Sequence, residues 1–195
     1  KAKNYILLAN HIDPTLMLNS VAFKVGQLLN IPFTNHAIPV DVVLNGKYKG
    51  SYLLTEQIEI KENRVDLDEN NSVMWELDSY FDEDPKFKSE AFNLPVMVKD
   101  PDLTTEQFEY WKKDFNAFTV RFAKEPLEGN MYVDMIDIES VAKYLITFNL
   151  VHNMEINHPK SIFIHKEGKG KYVMGPIWDF DWAYDYEGKE THFGS

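Results

Sequence analysis

The dipeptide Asn45-Gly46 constrains the fold more than any other feature, because it separates two runs rich in strand-forming residues. These runs cover residues 38–44 and 48–55. An Asn-Gly pair between such runs is the strongest short signal for a two-residue hairpin, since both turn positions need positive φ. The sequence therefore predicts an antiparallel β-hairpin in the first third of the chain.

Apolar residues that recur every three or four positions predict three helices. The first is expected to start at Asp13-Pro14, an N-cap followed by proline, and to end near Asn30. The second covers residues 104–123, and the third follows Asp137 as N-cap and ends near residue 152. An aromatic stripe on the second helix, which we interpret as core-facing rather than as a ligand-stacking platform, consists of Phe108, Trp111, Phe115, Phe118 and Phe122. The apolar face of the third helix consists of Ile138, Val141, Leu145, Phe148 and Val151.

Shorter apolar runs predict four further strands. They are a buried strand at 5–9, a strand at 73–77, and a pair at 162–164 and 172–174 around a glycine-containing turn. The segment 79–101 is polar, and its acidic run at 82–84 is interpreted as a solvated loop. The elements together predict a mixed α+β fold.

Composition excludes several classes of function. A formal net charge of −11 argues against a nucleic-acid binder, and the absence of cysteine excludes disulfides, thiolate zinc sites and cysteine nucleophiles. The chain has no apolar run long enough for a membrane span, and no HExxH, GxSxG, Walker or GxGxxG motif. Because the sequence begins at Lys1 without methionine and stops abruptly at Ser195, we expect it to be a fragment of a longer protein.

The segment Trp178-Asp179-Phe180-Asp181-Trp182 alternates aromatic and acidic residues. In an extended conformation, both carboxylates would project from one face and the aromatic rings from the other. Two adjacent carboxylates are costly unless they are solvated, protonated or shared by a cation, and hard oxygen ligands suit magnesium or manganese. The alternative is a half-buried strand with its acids in water. Further acids at Asp185 and Glu187 favour the metal site.

Other polar residues could complete such a site. Asn149 and Asn153 are four positions apart on the third helix, and Glu155 follows the helix end. Asn153 and Glu155 could coordinate a metal or orient a nucleophile, or they could be capping and turn residues. Glu56 ends the hairpin, where it could pair with a basic residue beside a nucleotide or simply face solvent.

Three blocks of the sequence resemble one known family. Residues 5–10 with Asp13-Pro14 resemble its "LLAN…D" opening, residues 40–57 resemble its "V-x-V-x-LNGxYxGxYLLTEQ" block, and residues 175–181 resemble its "GPxWDFD" signature. The family is the spore-coat-protein-H (CotH) kinase-like family. Its members are described as atypical protein kinases that transfer phosphate from ATP to Ser or Thr of secreted or coat proteins.

The resemblance implies a single kinase-like domain over residues 1–195, with nucleotide bound between a β-rich N-terminal lobe at 1–100 and a mainly helical C-terminal lobe at 101–195. It also implies ATP and Mg²⁺ or Mn²⁺ as cofactors. A nucleotide and an unidentified protein acceptor would be the partners. Export to the cell surface, periplasm or exterior is expected only because members of this family are usually exported.

Site residues follow from the same resemblance. Asp179 would be the leading metal ligand, with Asp181 nearby and Asn153 as a further ligand. Asp179, Glu155 and Asn153 would make up the catalytic set. Glu56 would be an acid of the N-terminal lobe that contacts the cofactor, together with Trp178.

Two differences from the family pattern leave other functions open. Asn153-Met154-Glu155 stands where N-x-D is frequent, and Leu18-Asn19 stands where Arg-Asn is expected, so a positive charge is missing. Family members usually have a further strand before the position of Lys1, so a lysine or arginine that faces the nucleotide could lie upstream of this sequence. The alternatives are a catalytically inactive surface or interaction domain with the same fold, and a metal-dependent nucleotide-sugar transferase.

Overall fold

A computed structural model describes residues 3–11, 13–124 and 132–184. Within them, three helices and two antiparallel sheets confirm the mixed α+β class. The strands are β1 (Tyr5–Leu8), β2 (Ala37–Leu44), β3 (Lys47–Glu56), β4 (Ser72–Leu77), β5 (Lys86–Lys88), β6 (Pro95–Asp100), β7 (Ile162–Glu167) and β8 (Val173–Met174). The helices are α1 (Leu18–Leu28), α2 (Thr105–Phe122) and α3 (Ile138–Leu150), and a 3₁₀ turn follows at Met154–Asn157. None of the helices in these ranges is long and apolar enough to cross a membrane.

The smaller sheet has the strand order β1-β3-β2, and it contains the predicted hairpin. Asn45 and Gly46 both have positive φ, 53° and 74°, as the two-residue turn requires. The strand at 5–9 is confirmed as β1, but its predicted burial is wrong. Tyr5 and Leu7 are exposed while Ile6 and Leu8 are half-buried, so one face of β1 is open to solvent.

The larger sheet has the order β5-β6-β4-β7-β8. Its central strand β4 pairs with β6 on one side and β7 on the other, and Ser72 to Glu76 are all buried. The sheet therefore joins strands from both sides of residue 100. The polar segment 79–101 is not only a loop, since it contains β5 and β6. Its acidic run at 82–84 is exposed, as predicted.

Helix α2 packs on one face of the larger sheet through its aromatic stripe, which is core-facing as predicted except at Phe122, which is 49% exposed. Trp111, Phe115 and Phe118 are buried in one cluster with Trp75, whose ring centroid lies 5.9 Å from that of Phe115. The helix starts at a capping box, in which the Thr104 side chain accepts from the N–H of Gln107 and the Gln107 side chain accepts from the N–H of Thr104.

Helices α1 and α3 differ in detail from their predictions. Helix α1 starts at Leu18, and the Asp13 carboxylate accepts the Leu18 N–H at 2.8 Å across an intervening turn. Asp137 caps α3 as predicted. Its apolar face is partly wrong, because Ile138 and Leu145 are exposed while Tyr144 and Phe148 stack and face the core.

Candidate functional site

The segment that follows β8 is not extended, so the predicted alternation of its side chains is wrong. Residues 175–180 form no strand, and Asp179 has a φ of 56°, which redirects its side chain. Phe180 is fully buried, and the rings of Phe180 and Trp178 lie 6.1 and 6.0 Å from that of Phe23. Aromatic packing therefore fixes the segment against α1. Asp185 and Glu187 lie outside the described residues.

Asn19 of α1 holds this segment in place. Its side-chain amide donates to Asp181 Oδ1 at 2.8 Å, and its side-chain oxygen accepts the Phe180 N–H at 2.9 Å. Both bonds join residues that are far apart in sequence, so no local pattern indicates them. Asn19 is a residue that the sequence reasoning did not assign to the site.

Asn153 connects the loop after α3 to the same segment. It is fully buried, its Oδ1 accepts the Glu155 N–H at 2.9 Å, and its Nδ2 donates to the Asp179 carbonyl at 3.3 Å. These are the bonds of a capping residue, so the capping interpretation is confirmed. A role as metal ligand stays a prediction. Asn149 is exposed on α3 and does not take part in these bonds.

Glu155 is the most deeply buried acid of the site, with only 1% of its surface exposed. Its Oε1 accepts from Lys160 Nζ at 3.1 Å, while its Oε2 is buried and has no hydrogen-bond partner. Burial, and then the negative charge of Asp179, raises the pKa of Glu155 to about 8. A buried carboxyl oxygen without a donor disfavours the ionised form, which agrees with the raised pKa.

Asp179 lies beside the same lysine. Its Oδ2 is 3.9 Å from Lys160 Nζ and 3.5 Å from the hydroxyl of Ser161. Burial raises the pKa of Asp179 although Lys160 opposes the shift, and Asp181 raises it further. Glu155 and Asp179 both pair with Lys160, and the charge of Asp181 raises the pKa of both acids. We call Glu155, Asp179 and Asp181 the carboxylate cluster. A lysine in a loop has no spacing signal, so the sequence did not indicate it.

Residues 2–193 match the family model described as CotH kinase protein. The chain belongs to the CotH kinase family. The three sequence blocks that carried the resemblance lie within the matched range. The comparison with curated proteins gives no match.

A second lysine of this CotH-family chain, Lys99, lies in another ion pair on the larger sheet. Lys99 Nζ lies 2.8 Å from Glu76 Oε2 and 5.6 Å from the ring centroid of Phe163. Burial lowers the pKa of Lys99, but the Glu76 carboxylate outweighs burial and the net pKa is raised. Two residues beyond Glu76, Asp78 accepts the Ser161 N–H at 3.1 Å. Residues 76–78, at the end of β4, thus connect Lys99 to the loop that carries Lys160.

The two predicted cofactor-binding residues lie in different surroundings. Glu56 accepts the backbone N–H of His36 at 2.7 Å and lies 3.2 Å from its Nδ1, on the wall of a cavity of about 280 Å³. The basic partner of Glu56 is therefore His36. Trp178 is half-buried and packs between two hydrophobic clusters. Their roles in cofactor binding stay predictions.

The carboxylate cluster fits a magnesium or manganese ion that is shared with a ligand. No group of three or more His, Cys, Asp or Glu side chains within the described ranges could hold a metal by itself. Magnesium, however, is usually bound by one or two carboxylates together with waters and substrate phosphates. Asp179 and Asp181 offer hard oxygens of this kind, and the unpartnered Oε2 of Glu155 lies in the same cluster.

Proposed function

We propose that this domain is an ATP-dependent protein kinase that transfers phosphate to Ser or Thr of an exported or surface protein. One observation carries the proposal: α3, the loop 153–161, the hairpin β7–β8 and the segment 175–181 bring Glu155 and Asp179 within 3.1 and 3.9 Å of the Lys160 ammonium group. Phosphoryl transfer needs mainly positioning and charge neutralisation, which such a cluster supplies.

Asp179 and Asp181 would hold Mg²⁺ or Mn²⁺, which when bound neutralises charge on the phosphates of ATP. Asn19 keeps Asp181 in place, and Asn153 keeps the Asp179 backbone against the loop. Glu155 can take the proton of an acceptor hydroxyl through its Oε2 once its carboxyl is ionised, which its pKa of about 8 places above neutral pH. In this proposal the nucleotide lies between two lobes, one with the smaller sheet and the other with α2 and the larger sheet.

The near-complete burial of Glu155 favours a second candidate function. An acid that is 1% exposed and paired with Lys160 is less accessible to an acceptor hydroxyl than a general base needs to be. A catalytically inactive surface or interaction domain, which keeps the fold and binds without turnover, would show this feature.

Calorimetric titration of ATP with and without Mg²⁺ tests the proposal. Asp179→Asn removes one charge at nearly constant size. Asp114→Asn is the matched control, because Asp114 is 25% exposed against 27% for Asp179 and also pairs with a lysine. We expect Mg²⁺-dependent binding in the wild type and in Asp114→Asn, and none in Asp179→Asn. Binding that does not depend on Mg²⁺ or on Asp179 would contradict the proposed site.

Turnover separates the candidate functions. With γ-labelled ATP and a library of Ser/Thr peptides, the kinase is expected to label peptides only when Asp179 is intact. Mg²⁺-dependent binding without any labelling would favour the inactive domain. Transfer of a sugar from a nucleotide sugar would instead indicate a glycosyltransferase.

A further inference from the structure

Two carboxylates and two aromatic rings lie close to the ammonium group of Lys160. Its ammonium group contacts Glu155 Oε1 at 3.1 Å and lies 3.9 Å from Asp179 Oδ2. The same nitrogen lies 5.2 Å from the ring centroid of Trp182 and 5.8 Å from that of Tyr80. A lysine side chain loses considerable rotamer freedom in such a position, so its placement needs a compensating interaction.

That interaction is electrostatic. Among the ion pairs of the described residues, Lys160 is the cation that reaches Glu155 and Asp179, and Asp181 adds a third negative charge that acts on both acids. Without a cation, three carboxylates in one half-buried cluster would repel each other. Lys160 therefore supplies the positive charge that the cluster needs when no metal is bound.

The two contacts of Lys160 are unequal. The nitrogen is within hydrogen-bond distance of Glu155, whereas its approach to Asp179 is an ion pair without a hydrogen bond. The contact with Asp179 is thus the weaker one, and it involves the residue best placed to bind a metal. Asp179 can exchange the lysine for a metal ion while Glu155 keeps it.

We propose that Lys160 is a positioning residue that acts as the resident counter-ion of the metal site and competes with the divalent ion for Asp179. This inference rests on the proposed function, because it assumes that Asp179 binds the metal. Because of this competition, the metal binds weakly when no nucleotide is present. A nucleotide then favours the metal, because its phosphates give the displaced ammonium group a new partner.

Manganese titration without nucleotide tests this inference directly, with free Mn²⁺ followed by electron paramagnetic resonance. Lys160→Met and Lys160→Gln remove the competing charge, so both are expected to bind Mn²⁺ on the order of tenfold more tightly than the wild type. Lys160→Arg keeps the charge and should bind as the wild type does. Lys143→Met is the matched control, since Lys143 is 25% exposed against 22% for Lys160 and pairs with Glu139 away from the cluster.

A non-hydrolysable ATP analogue adds a second readout. The analogue should tighten Mn²⁺ binding in the wild type more than in Lys160→Met, because part of the coupling between the two ligands passes through the lysine. If folded Lys160→Met and Lys160→Gln bind Mn²⁺ no more tightly than the wild type, the inference is wrong. If Asp179→Asn loses Mn²⁺ binding but Lys160→Met has no effect, only the role of Lys160 is refuted and the metal site stands. If Asp179→Asn binds Mn²⁺ as the wild type does, the metal site itself is refuted.

Discussion

Replacement of Asn19 by alanine should weaken both the fold and the proposed metal site. Asn19→Ala removes the bond to Asp181 Oδ1 and leaves the Phe180 N–H without an acceptor. A hydrogen bond contributes about 1 kcal/mol net, and a buried donor left unpaired costs roughly 1–3 kcal/mol more. Because Phe180 is fully buried, water cannot replace the lost acceptor. We therefore expect the free energy of unfolding to fall by about 2–4 kcal/mol.

Asn116 offers a matched control for this substitution. It also accepts one backbone N–H and donates to one carboxylate, both of Glu90, at 3.1 and 3.2 Å. Glu90 is exposed, so water can replace these bonds, and Asn116→Ala should cost only about 1 kcal/mol. Urea unfolding measures both values, provided that the slope with denaturant is unchanged.

Metal affinity is the second quantity to measure in these two variants. Asn19→Ala frees the Asp181 carboxylate, so the affinity for Mn²⁺ or Mg²⁺–ATP should fall on the order of tenfold. Asn116→Ala should leave that affinity unchanged, because Asn116 belongs to α2 and contacts none of the cluster residues. Equal stability losses in the two variants, or an unchanged metal affinity in Asn19→Ala, would refute the reasoning.

Three further predictions concern pH, a buried ion pair and the hairpin. The pKa of Glu155 rises from 4.5 to about 8, so the folded chain holds an extra proton between these pH values and its free energy of unfolding should fall as pH rises through this window. Glu155→Gln should flatten this pH profile, and equal slopes in the wild type and the variant would contradict the prediction. Lys99→Met leaves Glu76 without its partner and should cost about 3 kcal/mol in urea unfolding, and a second change, Glu76→Leu, should restore most of it. Gly46→Ala adds a Cβ that meets no atom, so a loss of about 1 kcal/mol in thermal unfolding would come from positive φ alone, and an unchanged Tm would argue against strain.

Local patterns predicted the elements whose signals are local. The Asn45-Gly46 turn, the aromatic stripe of α2 and the Asp137 cap each depend on neighbours a few residues away, and the structure contains all three. Strand β6 did not stand out, because its buried run Pro95–Val98 follows a polar segment and is defined by pairing with distant β4. Burial of Tyr5 was overestimated for a related reason, since only the tertiary structure shows that one face of β1 stays uncovered.

The site could be predicted only in part. The acids Glu155, Asp179 and Asp181 stood out by residue type and by family resemblance, and the structure places them in one cluster. Lys160 and Asn19 did not stand out, because their importance comes from contacts across the fold rather than from spacing along the chain. The sequence did not predict the positive φ of Asp179 either, since a strictly alternating sequence favours an extended strand.

The position of β4 in the larger sheet also determines when the site can form during synthesis. Ser72 pairs with Glu167, so the centre of the sheet closes only after nearly the whole described chain has left the ribosome. Until β7 arrives, the edge of β4 that will pair with it is open. The loop with Lys160 directly precedes β7, and Asp179 follows the β7–β8 hairpin, so the same late segment completes the sheet and assembles the carboxylate cluster. Such a high contact order favours slow folding, and a nascent chain brings the carboxylate cluster together only at the final step.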